Sequence, residues 1–163
     1  MVWTAAMLHS IDHDAVKGDD SKEYQELAYT TAVREMLWRL EGALAEEQRE
    51  IVFDAVMRHD LKTPGEMTPV LQVLREADML ANMAITCVIR GGQFRPDLPA
   101  FEVEHLEQNN PRSTYGKPCS VLDAVRNTLD CQGQIKLPKA IPIAKERAFA
   151  LRGYVETVKQ QYR

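Results

Sequence analysis

Apolar residues along this chain recur at helical spacing, and alternation of apolar and polar residues is rare. Val2, Trp3, Ala5, Ala6, Met7 and Leu8 leave almost no polar face ahead of His9 and read as the end of a buried helix. Residues 12–20 carry Lys17-Gly18-Asp19-Asp20 and read as a loop, with Asp20 or Ser21 placed to cap the next helix. Leu27, Thr31, Arg34, Leu37, Trp38 and Leu40 continue a helical pattern to Glu41, which Gly42 is expected to interrupt. A further helix follows over 46–59, where Ile51, Val52, Ala55 and Val56 share a face, and Thr63-Pro64-Gly65 ends it. Thr68-Pro69 is a second start signal, with Thr68 as cap and Pro69 in the first turn, where its missing N–H costs little. The pattern from Leu71 to Val88 then carries a helix, with room for one break, to a stop at Gly91-Gly92.

Residues 93–118 hold Pro96, Pro99, Pro111, Gly116 and Pro118 and are long for a connection, as functional lids and mobile segments tend to be. Helical patterns resume over 120–131 and 140–162. The expected fold is all-α, a single compact multi-helix domain over 1–163.

Charge and cysteine usage narrow the functions open to such a domain. The net charge is −4, and the 20 Lys and Arg are scattered among 24 Asp and Glu, so no basic face for nucleic acid is expected. Cys87, Cys119 and Cys131 lie far apart without a C-x-x-C pair, which points away from a disulfide framework or zinc ribbon and toward a reducing cytoplasm. No segment is apolar for long enough to be read as a membrane span or signal peptide.

Candidate chemistry gathers at three places: His9, Asp12, His13 and Asp14 after the first helix, His59 and Asp60 at the end of the third, and Asp78 inside the fourth. Inward carboxylates and imidazoles serve helical cores as metal ligands because rigid helices fix their lone pairs. Each residue also has a plain reading. His59 suits the negative end of a helix, Asp78 a solvated or arginine-paired position, and Asp12 to Asp14 a polar turn.

Taken in order, TAAMLHSIDHD, EEQREIVFDAVMRHD and VLREADMLANM resemble the HD-domain superfamily of metal-dependent phosphohydrolases. That family shows a helix ending in His-Asp, a later helix ending in an isolated His, and an Ala-Asp-x-Leu segment. The resemblance spans about Trp3 to Met83. It divides the chain into an HD-like core over 1–92, an irregular segment over 93–118 and C-terminal helices over 119–163.

By this resemblance His9, His59 and Asp78 take metal-ligand places. Ser10 stands where the family has the aspartate, and Asp12, three residues from His9, is the candidate to replace it. The family's leading ligand histidine comes from a helix ahead of the paired motif that this sequence does not include, so the expected site is partly degenerate. A bound divalent ion (Mn, Fe, Ni, Zn or Mg) would serve hydrolysis of a nucleotide or related phosphate ester, with Arg58, Lys62 and Arg75 holding the phosphate. The alternative is a non-catalytic helical module that keeps the scaffold and binds a protein or small ligand. The apolar surface near Val2, Trp3 and Ala6 makes a homodimer a further expectation.

Overall fold

In a computed structural model the described residues are 1–9, 22–61 and 63–163, apart from the side chains of 22–25 and 94. Among them are seven α-helices and no strand: α1 Val2–Leu8, α2 Lys22–Trp38, α3 Glu46–Arg58, α4 Pro69–Asn82, α5 Thr86–Phe94, α6 Val121–Leu129 and α7 Ala140–Tyr162. The all-α expectation holds. None of the described helices is long and apolar enough to cross a membrane. The chain divides into two compact units, Met1–Arg75 and Glu76–Arg163.

In the first unit, α3 packs against both α1 and α2. Val52, Ala55 and Val56, whose spacing marks one face of α3, meet Ala5 and Leu8 of α1, Val33 and Leu37 of α2, and Val70, Leu71 and Leu74 of α4 in one core. Each fully buried Val or Leu there contributes about 1.5–3 kcal/mol relative to exposure. Arg34 reinforces the α2–α3 contact, with its guanidinium carbon 3.8 Å from the centre of the Phe53 ring and an ion pair to Glu50 at 3.1 Å. The start of α4 follows its sequence signal, because Thr68 Oγ1 accepts from the Leu71 N–H at 3.3 Å and Pro69 opens the helix.

One reading of this unit needs correction. Rather than being buried all round, α1 buries Ala5 and Leu8 and leaves Trp3 and Met7 about four-fifths exposed, at 84% and 79%. A seven-residue helix turns only a narrow stripe inward, so apolar residues outside that stripe face out whatever their hydropathy. The expected cap at Asp20 or Ser21 lies outside the described residues.

In the second unit, Ala144, Ala148, Leu151 and Val155 form a stripe along α7 that packs with Leu122 and Val125 of α6 and with Met83. The break expected after α4 falls at residues 83–85. Gly91-Gly92, read as a helix stop, instead lies inside α5, which runs to Phe94. A Cβ on Gly91 would meet Val121 Cγ1 at 3.6 Å, an ordinary van der Waals contact, so the α5–α6 packing does not itself require glycine here.

Residues 99–113 contain one 3-10 turn, at Val103–His105, and are bonded to α6. The N–H groups of Val121 and Leu122 donate to the carbonyls of Pro99 and Ala100, each at 3.0 Å. The Arg126 guanidinium donates to the carbonyls of His105 and Gln108 at 2.9 Å and to that of Leu106. Side chains of Asn109 and Ser113 bond Asn127 at 2.8 and 3.0 Å. This dense polar tether satisfies backbone groups that irregular structure would otherwise leave unpaired.

Candidate functional site

His9 and His59 are far apart in sequence, yet each directly follows the last residue of its helix, α1 and α3. Because those helices pack together, their ends bring the two rings to a centroid separation of 5.5 Å in an edge-on arrangement, 87° between planes. Each ring is anchored in the same way. His9 Nδ1 lies 2.6 Å from the Ala6 carbonyl and His59 Nδ1 lies 2.7 Å from that of Val56.

A carbonyl oxygen only accepts, so Nδ1 carries the proton in each ring and Nε2 is the lone-pair nitrogen of the neutral imidazole. Metal-ligating histidines are commonly oriented by such a bond on the opposite nitrogen. Two imidazoles bound through Nε2 to one tetrahedral ion have centroids roughly 5 Å apart, given metal–nitrogen bonds of about 2.0–2.1 Å. The observed spacing is close to that distance. Tyr29 of α2 steadies the corner by donating its hydroxyl to the His9 carbonyl at 3.3 Å.

The expected phosphate-binding arginines have other partners here. Arg58 forms a two-oxygen bond with Asp54 at 2.8 and 2.6 Å, and also donates to the carbonyls of Pro64 and Glu66. Arg75 gathers the carbonyls of Arg58, His59 and Leu61 at 3.2, 2.6 and 2.7 Å. The last carbonyls of a helix have no partner within it, and the planar fork of arginine is well suited to collect them. Arg75 therefore fixes the backbone that carries His59. Lys62 and Asp12, like His13 and Asp14, lie outside the described residues.

Asp78 falls in the second unit, on α4, where its Oδ2 accepts from Asn82 Nδ2 at 3.3 Å. That unit also contains the phenol of Tyr115, pushed up to about 12 by desolvation, with the negative charges of Cys131 and Asp78 adding to the shift. Burial likewise raises the thiols of Cys87 and Cys131.

Sequence reading missed a second group of metal-ligating side chains. Glu102, Cys119 and Asp123 each place a ligand atom within 4.8 Å of the other two, a set capable of holding a metal ion. The only local signal is the i, i+4 spacing of Cys119 and Asp123 across the Ser120 cap, and Glu102 joins them through the loop. Comparison with protein-family models, with curated proteins and with solved structures yields no match.

Proposed function

We propose that the first unit binds a divalent metal ion between His9 and His59, and that the protein is an HD-like phosphohydrolase acting on a nucleotide or related phosphate ester. The observation that carries this reading is the meeting of the two imidazoles at 5.5 Å, each with Nδ1 bonded to a backbone carbonyl, the kind of bond that commonly orients a metal-ligating histidine. When bound, such an ion lowers the pKa of its water and offsets charge on phosphoryl oxygens. His9 and His59 hold it, while Tyr29 and Arg75 fix the backbone from which the two rings project. Protons compete with the metal for imidazole nitrogen, so affinity falls as the pH is lowered.

The test is metal content after reconstitution with manganese, iron, nickel, zinc or magnesium, followed by assay on a panel of phosphate esters. Hydrolysis that is lost in both His9→Ala and His59→Ala supports the reading, and a protein that retains no metal overturns it.

The second reading is a non-catalytic module that keeps the helical scaffold. It is favoured by the partners of Arg58 and Arg75, whose guanidiniums bond protein oxygens and so form no ready phosphate cradle. Metal uptake at the two histidines without turnover of any ester would select it.

A further inference from the structure

The geometry points to a second metal centre, in the second unit: Glu102, Cys119 and Asp123 hold a zinc-class divalent ion that ties residues 99–120 to the start of α6. The three ligand atoms lie within 4.8 Å of one another. Ligands on a tetrahedral zinc stand roughly 3.3–3.7 Å apart, given bonds of about 2.0–2.3 Å. Binding therefore asks for side-chain rotations that draw the group in by about 1 Å.

The independent sign is Asp123 itself. It is only 1% exposed, and its Oδ2 is buried with no hydrogen-bond partner among the described residues. The other oxygen, Oδ1, accepts from the Asn110 N–H at 3.3 Å and faces Arg126 at 3.6 Å. A buried carboxylate oxygen without a partner is costly, and a cation at that oxygen satisfies it. Buried Asn110 also donates to Glu102 Oε2 at 2.6 Å, so one residue orients both carboxylates from outside the ligand set.

Charge decides whether Arg126 already does this work. With Cys119 as the thiolate that metal binding requires, the ligands carry three negative charges against one on Arg126, a balance of −2 that a divalent ion cancels. The ligand chemistry selects among ions. A thiolate beside two carboxylates favours zinc, cobalt or cadmium over magnesium or calcium, which prefer all-oxygen shells. Three protein ligands leave the fourth position to water.

Cobalt(II) titration of the intact protein tests the proposal, because thiolate coordination gives a near-ultraviolet charge-transfer band that two imidazoles cannot produce. The expected result is one equivalent of cobalt with that band, displaced by zinc. The band should be absent in Cys119→Ser and retained in Glu102→Gln with affinity lowered about 10–100-fold or more. No band in the intact protein overturns the proposal, as does a band that survives in Cys119→Ser, which would place the metal on Cys87 or Cys131. Should Cys119→Ser fail to fold, the intact protein and Glu102→Gln still decide the matter. Cobalt bound without the band reports on the histidines alone, so the two sites succeed or fail separately.

Discussion

The two units assemble their candidate ligands in opposite ways. In the first, two helices end side by side and each presents a histidine at its C-terminus. In the second, an irregular stretch lies against the beginning of a helix and brings Glu102 to Cys119 and Asp123. Both depend on an arginine that collects three backbone carbonyls, Arg75 from residues 58, 59 and 61 and Arg126 from residues 105, 106 and 108. The common lesson is that a ligand is positioned by the backbone beneath it, and that backbone is held by polar bonds as much as by the core.

The arginines also separate the two cases, and this gives the largest expected effect. Arg126 is the charge partner of buried Asp123, with both side chains at most 10% exposed, so Arg126→Ala removes the carbonyl bonds and strands a buried carboxylate. A loss of about 3–5 kcal/mol in urea denaturation is expected. Arg75→Ala forfeits carbonyl bonds alone and should cost about 1–3 kcal/mol. Equal losses would show that the Asp123–Arg126 pair contributes nothing distinctive.

Core truncations should not discriminate between the units. Leu71→Ala in the first and Leu122→Ala in the second each remove a side chain that is at most 1% exposed, and each should cost about 2–5 kcal/mol by the same measurement. A much smaller value for one would reveal a core that collapses around the cavity.

Ser120→Ala bears on the second site more gently. Ser120 Oγ accepts from the Asp123 N–H at 3.1 Å, and losing that cap should cost about 1 kcal/mol. A thiolate–cobalt band of unchanged intensity in this variant would mean that the cap stabilises the helix without positioning Asp123.

The smallest effect concerns pH. Tyr115, raised to about 12, favours its neutral form in the folded state. The stability this supplies is therefore present below the unfolded pKa of about 10 and lost as pH climbs from there toward 12. Because the residue as a whole is 56% exposed, the effect on unfolding is small. Its clearest readout is the difference in tyrosinate absorbance between the intact protein and Tyr115→Phe, which should rise at a higher pH than an ordinary tyrosine ionises.

Sequence patterns located what local rules control. Thr68-Pro69 opens a helix because a hydroxyl cap and a fixed φ act within one turn, and the α7 stripe is visible because its period is set by the helix alone. His9 and His59 were both candidates in sequence, but no local rule places one ring beside the other, which follows from the packing of α1 on α3. The outward Trp3 and Met7 were not legible, since hydropathy does not say which side of a short helix finds a neighbour. Nor were the roles of Arg58 and Arg75. A cation near a suspected ligand looks the same in sequence whether it meets a phosphate or a carbonyl, and only the fold brings the Pro64 and Glu66 carbonyls to Arg58 and those of Arg58, His59 and Leu61 to Arg75. Glu102, Cys119 and Asp123 escaped notice because loop hydrogen bonds, which have no period, bring the first of them to the other two.

The histidine pair is tested most directly by nitrogen-15 NMR of the imidazoles during zinc titration. Protonated Nδ1 and lone-pair Nε2 should be distinguishable in both rings before zinc, and the Nε2 signals of His9 and His59 should move together to metal-bound positions at one equivalent per pair. Nε2 signals that stay in place through saturating zinc, or that move in one ring alone, would contradict a shared site.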